Sequence, residues 1–260
     1  WRAAQKAEAN SAIANNAATV PFKEYAENNP KGLRWVELKK GQPDLSDLRF
    51  EAGPNGSTRV FDSQGNRLTH PKQSFNTFDS EEEARKAFAD HRSYQPLSDA
   101  LKYEGDTMGH CVGGYCDDVA SGKSRIFSLR DAKGQPHVTV ESRPGIKAPE
   151  GSVVAEDLPP EVYADFKSRN ILDPKHVYAF NQAAFDRTGS GWRPHPAPTE
   201  DTVIQIKGKG NRKPNDEYLP FVQDFVKSGK WSDVGDLHNT ELHKADWQPD
   251  TLALFAKHGI

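Results

Sequence analysis

The stretch Met108-Gly-His-Cys-Val-Gly-Gly-Tyr-Cys-Asp-Asp-Val119 concentrates the residues able to do chemistry. It holds the only methionine, both cysteines and one of the nine histidines of the 260-residue chain. Cys111 is the candidate nucleophile. A thiolate attacks an acyl carbon when an imidazole takes its proton and a third polar group fixes the imidazole's tautomer. Chain order offers His137 as the base and Glu141 or Gln205 as the orienting group. His110 is the poorer base on a helical reading, because adjacent side chains on a helix diverge. Tyr115, one turn above Cys111, is placed to touch it. The competing structural reading makes Cys111 a small buried hydrophobe beneath Tyr115.

These residues need elements to position them. Met108, Val112, Tyr115 and Val119 recur at i, i+4, i+7 and i+11, which predicts one apolar helix face over residues 108–120. Glu104-Gly-Asp-Thr107 predicts a break before that helix and puts Cys111 in its first turn or two. There the helix dipole favours a thiolate. Gly113 and Gly114 each cost about 1 kcal/mol relative to Ala inside a helix, tolerable where another backbone or a substrate comes close.

Residues 124–131 and 136–141 alternate about a glycine-containing loop and predict a β-hairpin. Strand parity sets His137, Thr139 and Glu141 on one face and Val138 and Val140 on the other. With a loop of residues 131–134, Ser128 lies opposite His137 and Phe127 opposite Val138. The polar face then faces a cleft or solvent, and Tyr115, Ser128, Arg130 and Thr139 are the candidate substrate contacts. The apolar face covers the core.

A second chemical feature follows the strand predicted over residues 202–207. Lys207-Gly-Lys-Gly-Asn-Arg-Lys213 carries four cations and two glycines, a composition suited to phosphate. Lys207, Lys209, Asn211 and Arg212 are its candidate contacts. The GxxxxGK[ST] spacing is absent, so it is not a Walker loop. Ile204 and Ile206 are expected to face the core, with Gln205 and the loop directed toward the cysteine end of the helix. The bland alternative is a solvated turn. His110, Cys111 and Cys116 lack both the CxxC pair and the HxE…PCxxC signature, so neither a metal centre nor a cofactor is expected.

Composition bounds the rest. The charge of −3 and pI near 6.3 give no global drive toward nucleic acid or membrane, so basic character is local. A mean hydropathy of −0.81 with 35% hydrophobic residues implies much surface and loop. Cysteines at 111 and 116 on one helix point about 140° apart, so a bridge between them is not expected and a reducing compartment is. No apolar run approaches the ~18 residues of a membrane span, and no signal peptide is visible. Trp1 at the start and an internal lone methionine suggest a piece of a longer polypeptide.

Along the chain, residues 1–28 are Ala-rich and predict a helix or linker, docked through Val20, Phe22 and Tyr25. Residues 33–38 are a short helix or strand anchored by Trp35. Short β pieces follow at 58–61 and 67–69 around an Asp62–Asn66 turn. A helix is predicted over 78–91 with Ser80 or Asp79 as cap, and a second from Pro96 to Tyr103. Further helices are expected at 160–168, 218–228 and near 250–258, with an extended, proline-rich stretch at 192–198.

Met108-Gly-His-Cys-Val-Gly-Gly-Tyr115, Ile126-Phe-Ser-Leu-Arg130, Val138-Thr-Val-Glu141 and Gln205-Ile-Lys-Gly-Lys-Gly-Asn211 follow one another in a recognisable order. Together they resemble the PcfJ-like proteins of conjugative plasmids and phages, including domains within large phage polyvalent proteins. The resemblance covers roughly residues 95–240, with His-Cys-Val…Tyr its specific part. It implies a mobile-element protein acting in the bacterial cytoplasm, and supplies no reaction.

The expected fold is α+β: a helix carrying His110 and Cys111 packed on a small, mostly antiparallel sheet. Residues 1–94 form an N-terminal extension and residues 95–260 the PcfJ-like core with C-terminal helices. The expected activity is a cysteine-dependent hydrolase or acyltransferase in a papain- or transglutaminase-like arrangement, with a protein substrate. The alternative is a non-catalytic module that binds nucleic acid, a phosphate-bearing ligand or another protein through the 207–213 loop.

Overall fold

The computed structural model describes residues 18–247, so most of the Ala-rich N-terminal stretch and the helix expected near 250–258 lie outside the described residues. Its strands are β1 (Thr19–Glu24), β2 (Arg34–Leu38), β3 (Arg49–Ala52), β4 (Thr58–Phe61), β5 (Arg67–Leu68), β6 (Arg125–Arg130), β7 (Pro136–Arg143), β8 (His176–Phe180), β9 (Trp192–Pro196), β10 (Asp201–Gly208) and β11 (Trp231–Val234). Its α-helices are α1 (Glu81–Met108), α2 (Cys116–Ala120), α3 (Pro160–Ser168), α4 (Gln182–Thr188) and α5 (Leu219–Ser228).

Six strands form the central sheet in the order β1-β2-β6-β7-β10-β11, antiparallel except for the β10–β11 pair. Alternation gives each of its faces a different partner. Trp35, Phe127, Leu129, Val138, Val140 and Ile206 point to one side and pack on Val222, Phe225 and Val226 of α5. Val36, Leu38 and Ile126 point to the other and pack on Leu97, Ala100 and Leu101 of α1, with Val112, Cys116 and Val119. The expected α+β architecture is therefore present, with helices on both faces of one sheet.

Several expectations are corrected. Residues 19–24 are strand rather than helix, because Val20 precedes Pro21 and is held extended, and Phe22 then lies over Phe127 at 4.7 Å between ring centroids. The boundary expected at residue 94 falls inside α1, and β1 and β2 belong to the central sheet. The two helices expected at 78–91 and 96–103 are one helix of 28 residues with Pro96 inside it. An interior proline costs about 3 kcal/mol. Both halves are held by packing: Ala84 and Phe88 against β4 and Phe78, Leu97 and Leu101 against the central sheet. Ser80 caps α1 by accepting from the Glu83 amide, with three acids in the first turn.

The continuous helix expected over 108–120 is also absent. Gly109 adopts φ +70° and closes α1 through its N–H to the Gly105 carbonyl at 2.8 Å. His110 is extended, Cys111–Gly114 make a single 3₁₀ turn, and α2 starts only at Cys116. The glycines explain the turn's position. A Cβ on Gly105 would sit 2.8 Å from the Gly113 nitrogen, so the turn folds back onto α1 by direct backbone approach.

The Phe225 ring joins the two sides of the α5 core, with centroids 4.6 Å from Trp35, 5.2 Å from Phe127 and 5.5 Å from Trp231. Phe225→Ala should lower unfolding free energy by about 3–5 kcal/mol in urea titration, as for other large-to-small core exchanges.

Candidate active site

The cysteine turn, β6, β7 and β10 line a narrow cleft of about 10 Å³, bordered by His110, Cys111, Val112, Ile126, Thr139, Glu141, Gln205, Lys207 and Asn211. Each wall has a local cause. The turn is presented there because Gly109 ends α1. Thr139, Glu141 and Gln205 face it by strand parity from adjacent strands, Gln205 pairing with Glu141 across β7 and β10. Asn211 arrives because the loop after β10 folds against the end of α1: a Cβ on Gly109 would lie 3.6 Å from Gly210 Cα.

Beneath the cleft lies a buried charge. Glu104 has no exposed surface, and its carboxylate accepts from Ser128 Oγ at 2.9 Å, Thr139 Oγ1 at 2.5 Å and Arg130 at 3.0 Å. Arg130 is 1% exposed and also donates to Ser128 Oγ at 3.1 Å. Two hydroxyls and a guanidinium compensate the cost of removing the carboxylate from water. Ser128, Arg130 and Thr139, expected as substrate contacts, are thus joined to one another under the cleft, and of the three Thr139 lines it.

Thr139 connects this charge to His110, whose Nε2 is 3.0 Å from Thr139 Oγ1. A carboxylate only accepts, so the Thr139 hydroxyl proton points at Glu104 and its oxygen accepts from His110 Nε2–H. Nδ1 is then the basic nitrogen of the neutral ring. Burial holds the His110 pKa below its usual value, against the opposing pull of Glu104.

Cys111 is exposed, and its Sγ is 3.5 Å from Tyr115 Oη. The contact with Cys111, then burial and the charge of Glu141, push the Tyr115 phenol up to about 12. Glu141 is buried, with one oxygen accepting from Ser124 Oγ at 3.2 Å and the other from Gln205 Nε2 at 2.7 Å. Cys116 is buried in the α1 core and is also a free thiol. The helix-dipole argument for a thiolate no longer applies, since Cys111 sits on a lone 3₁₀ turn.

His137 is not in the cleft. The hairpin register sets Ser128 opposite Thr139 and Phe127 opposite Val140, two residues from the expected pairing, which preserves the faces of Thr139 and Glu141. A β-bulge interrupts the ladder between Leu129–Val138 and Arg130–Pro136, and His137 is its extra residue. The ring turns to stack on Tyr218 at 4.7 Å, with Nε2 3.3 Å from Asp131. A similar irregularity at Ile204 sends Val203, rather than Ile204, into the α5 core with Ile206.

In the basic loop, Lys207 pairs with Asp236 at 2.7 Å and Lys213 with Glu241 at 2.5 Å. Lys209 and Arg212 form no ion pair among the described residues. No cluster of three or more His, Cys, Asp or Glu side chains able to hold a metal ion occurs among those residues. Nor is any helix among them long and apolar enough to cross a membrane.

Glu104 is the residue of the candidate site that sequence reading missed, taken there for part of a helix break. Its signal was present: Leu97, Leu101, Glu104 and Met108 share a helix face, and a carboxylate on an apolar face requires a partner.

The family model of PcfJ-like proteins matches residues 69–147, a segment that runs through α1, the cysteine turn, α2, β6 and β7. It supplies the cleft except for Gln205, Lys207 and Asn211, which come from β10 and its loop. No curated protein and no solved structure matches the chain.

Two measurements check this arrangement. Glu104→Gln leaves Arg130 without its counter-charge and should cost about 3–5 kcal/mol in chemical denaturation, as for one-sided removal from a buried pair. Because the His110 pKa is depressed on folding, the unfolded chain binds its proton first as pH falls below the ordinary value of 6.5. That stability contribution is present above pH 6.5 and lost on acidification toward the folded value. His110→Asn should therefore flatten the decline in melting temperature on the acid side of 6.5.

Proposed function

With residues 69–147 taken as a PcfJ-like segment, we propose that the cleft carries out thiol-dependent acyl transfer or hydrolysis, with Cys111 as nucleophile and His110, not His137, as base. The observation that carries this reading is the Glu104–Thr139–His110 chain, which orients an imidazole in the same cleft as an exposed thiol. It has the logic of a nucleophile, a base and a group that fixes the base's tautomer, with a hydroxyl relaying the carboxylate.

In this reaction a rotation about the Cys111 side chain brings Sγ from Tyr115 to His110 Nδ1. Nδ1 takes the thiol proton as sulfur bonds to the acyl carbon. The leaving amine or alkoxide departs with that proton, and water or an acceptor nucleophile then cleaves the thioester, returning the proton to sulfur. Gln205 and Asn211 offer amide donors to the substrate carbonyl, and Glu141 holds Gln205 in place. Glu104 and Thr139 are positioning residues.

A protein or peptide substrate in a bacterial cytoplasm, encoded by a phage or plasmid, belongs to the same proposal. Contact with phosphate at the loop is the second reading. It rests on Lys209 and Arg212, whose charges lack ion-pair partners among the described residues.

The test is acylation by an activated ester followed by mass spectrometry. The acyl mass should appear on Cys111, be absent from Cys111→Ser, and form about 10²–10⁴-fold more slowly in His110→Asn. Modification at Cys111 with an unchanged rate in His110→Asn would remove His110 as the base, and no modification at Cys111 would remove the reading altogether.

A further inference from the structure

A separate groove sits where α3 and α4 meet the two-stranded β8–β9 ribbon. Its volume is about 510 Å³, and it shares no lining residue with the cysteine cleft. Phe166, Phe180, Phe185 and Trp192 supply its apolar wall. The Phe180 ring lies 5.5 Å from Phe185 and 5.7 Å from Trp192, and Gly191 is the residue over which it packs. Phe180 and Phe185 are nevertheless 44% and 45% exposed, among the few large apolar side chains left open to water. Two carboxylates, Glu161 and Asp165, share the lining, and no Lys, Arg or His does. Asp165 is held by Arg169 at 3.1 Å, while Glu161 forms no ion pair among the described residues.

We propose that this groove binds a lysine or arginine side chain presented by a partner polypeptide. The combination of surfaces selects the ligand. A neutral apolar group would use the rings and leave the carboxylates without benefit. An anion would be repelled by Glu161 and Asp165 and by the negative ring faces. A cation on an alkyl stem uses all of them, with methylenes on the aromatic wall and charge at the carboxylates and over a ring. A groove of this size exceeds one ammonium group and has room for flanking residues. Strand addition is not the mode, because β9 carries Pro194 and Pro196 and β8 is already bridged through Tyr178 to Val153.

The experiment is fluorescence anisotropy of the full chain with three short labelled peptides of equal length. One bears paired lysines, one norleucines in their place, and one glutamates. The lysine peptide should bind at least about tenfold more tightly than either of the others. Phe185→Ala and Glu161→Gln should each weaken it by about 3- to 30-fold, within the range of a cation–π or exposed charge contact. Both residues are solvent-exposed, so these variants keep the fold, and an unchanged melting temperature checks that. Cys111→Ser should bind the lysine peptide as the parent does, which separates this groove from the cysteine cleft. Equal affinity for the norleucine peptide, preference for the glutamate peptide, or binding unaffected by both groove variants would each overturn the proposal.

Discussion

The carboxylate of Glu104 is the constraint on which the site depends. It lies on the buried face of the longest helix, without access to water, and three side chains from one hairpin donate to it. Those donors tie α1 to β6 and β7 at a fixed height, and the height sets everything above it. Thr139 spends its proton on Glu104 and is left as an acceptor for His110. His110 is at the right place because Gly109 ends the helix one residue earlier. A hydrophobic contact between helix and sheet would hold them as firmly without specifying position to a fraction of an ångström. The buried pair therefore acts as a register device, a role that buried ionic groups are better suited to than net stabilisation.

The same arrangement explains a division of labour among the cleft residues. Cys111, His110 and Tyr115 come from a short turn whose backbone is fixed mainly by glycine approach to α1. Glu141 and Gln205 come from paired strands at the middle of the sheet. Groups from an irregular turn and groups from paired strands thus face each other. Glu141 uses both oxygens on Ser124 and Gln205, so it shapes the wall and orients an amide instead of offering a free base.

Much of the fold was legible because its signals are local. The alternation of residues 124–141 marks the hairpin, Ser80 with its trailing acids marks the start of α1, and the spacing of Leu219, Val222 and Val226 marks α5. The site was legible in part, through Cys111, Thr139, Glu141 and Gln205. His137 was placed on the wrong face for a physical reason. A single bulge residue moves a side chain to the opposite face of a strand, and nothing in the alternation around His137 announces it. The helical reading of 108–120 failed in a related way: apolar spacing at i, i+4 and i+7 persists across a 3₁₀ turn, while Gly109 decides where the helix stops. β1 escaped notice because its pairing partner, β2, gains meaning only when the strand beyond it, β6, is known.

The order of strands in the sheet has a consequence for how the molecule comes into being. The hairpin that carries Ser128, Thr139 and Glu141 is central, with β2 from far upstream on one edge and β10 from far downstream on the other. During synthesis, β6 and β7 leave the ribosome with a partner waiting on one side only. The β7 edge stays unpaired until residues 201–208 have emerged and folded back. Until then the cleft at Cys111 lacks the wall that Gln205, Lys207 and Asn211 supply. The nascent chain thus passes through an interval with an open sheet edge and an incomplete cleft, and both are closed by the arrival of the same strand.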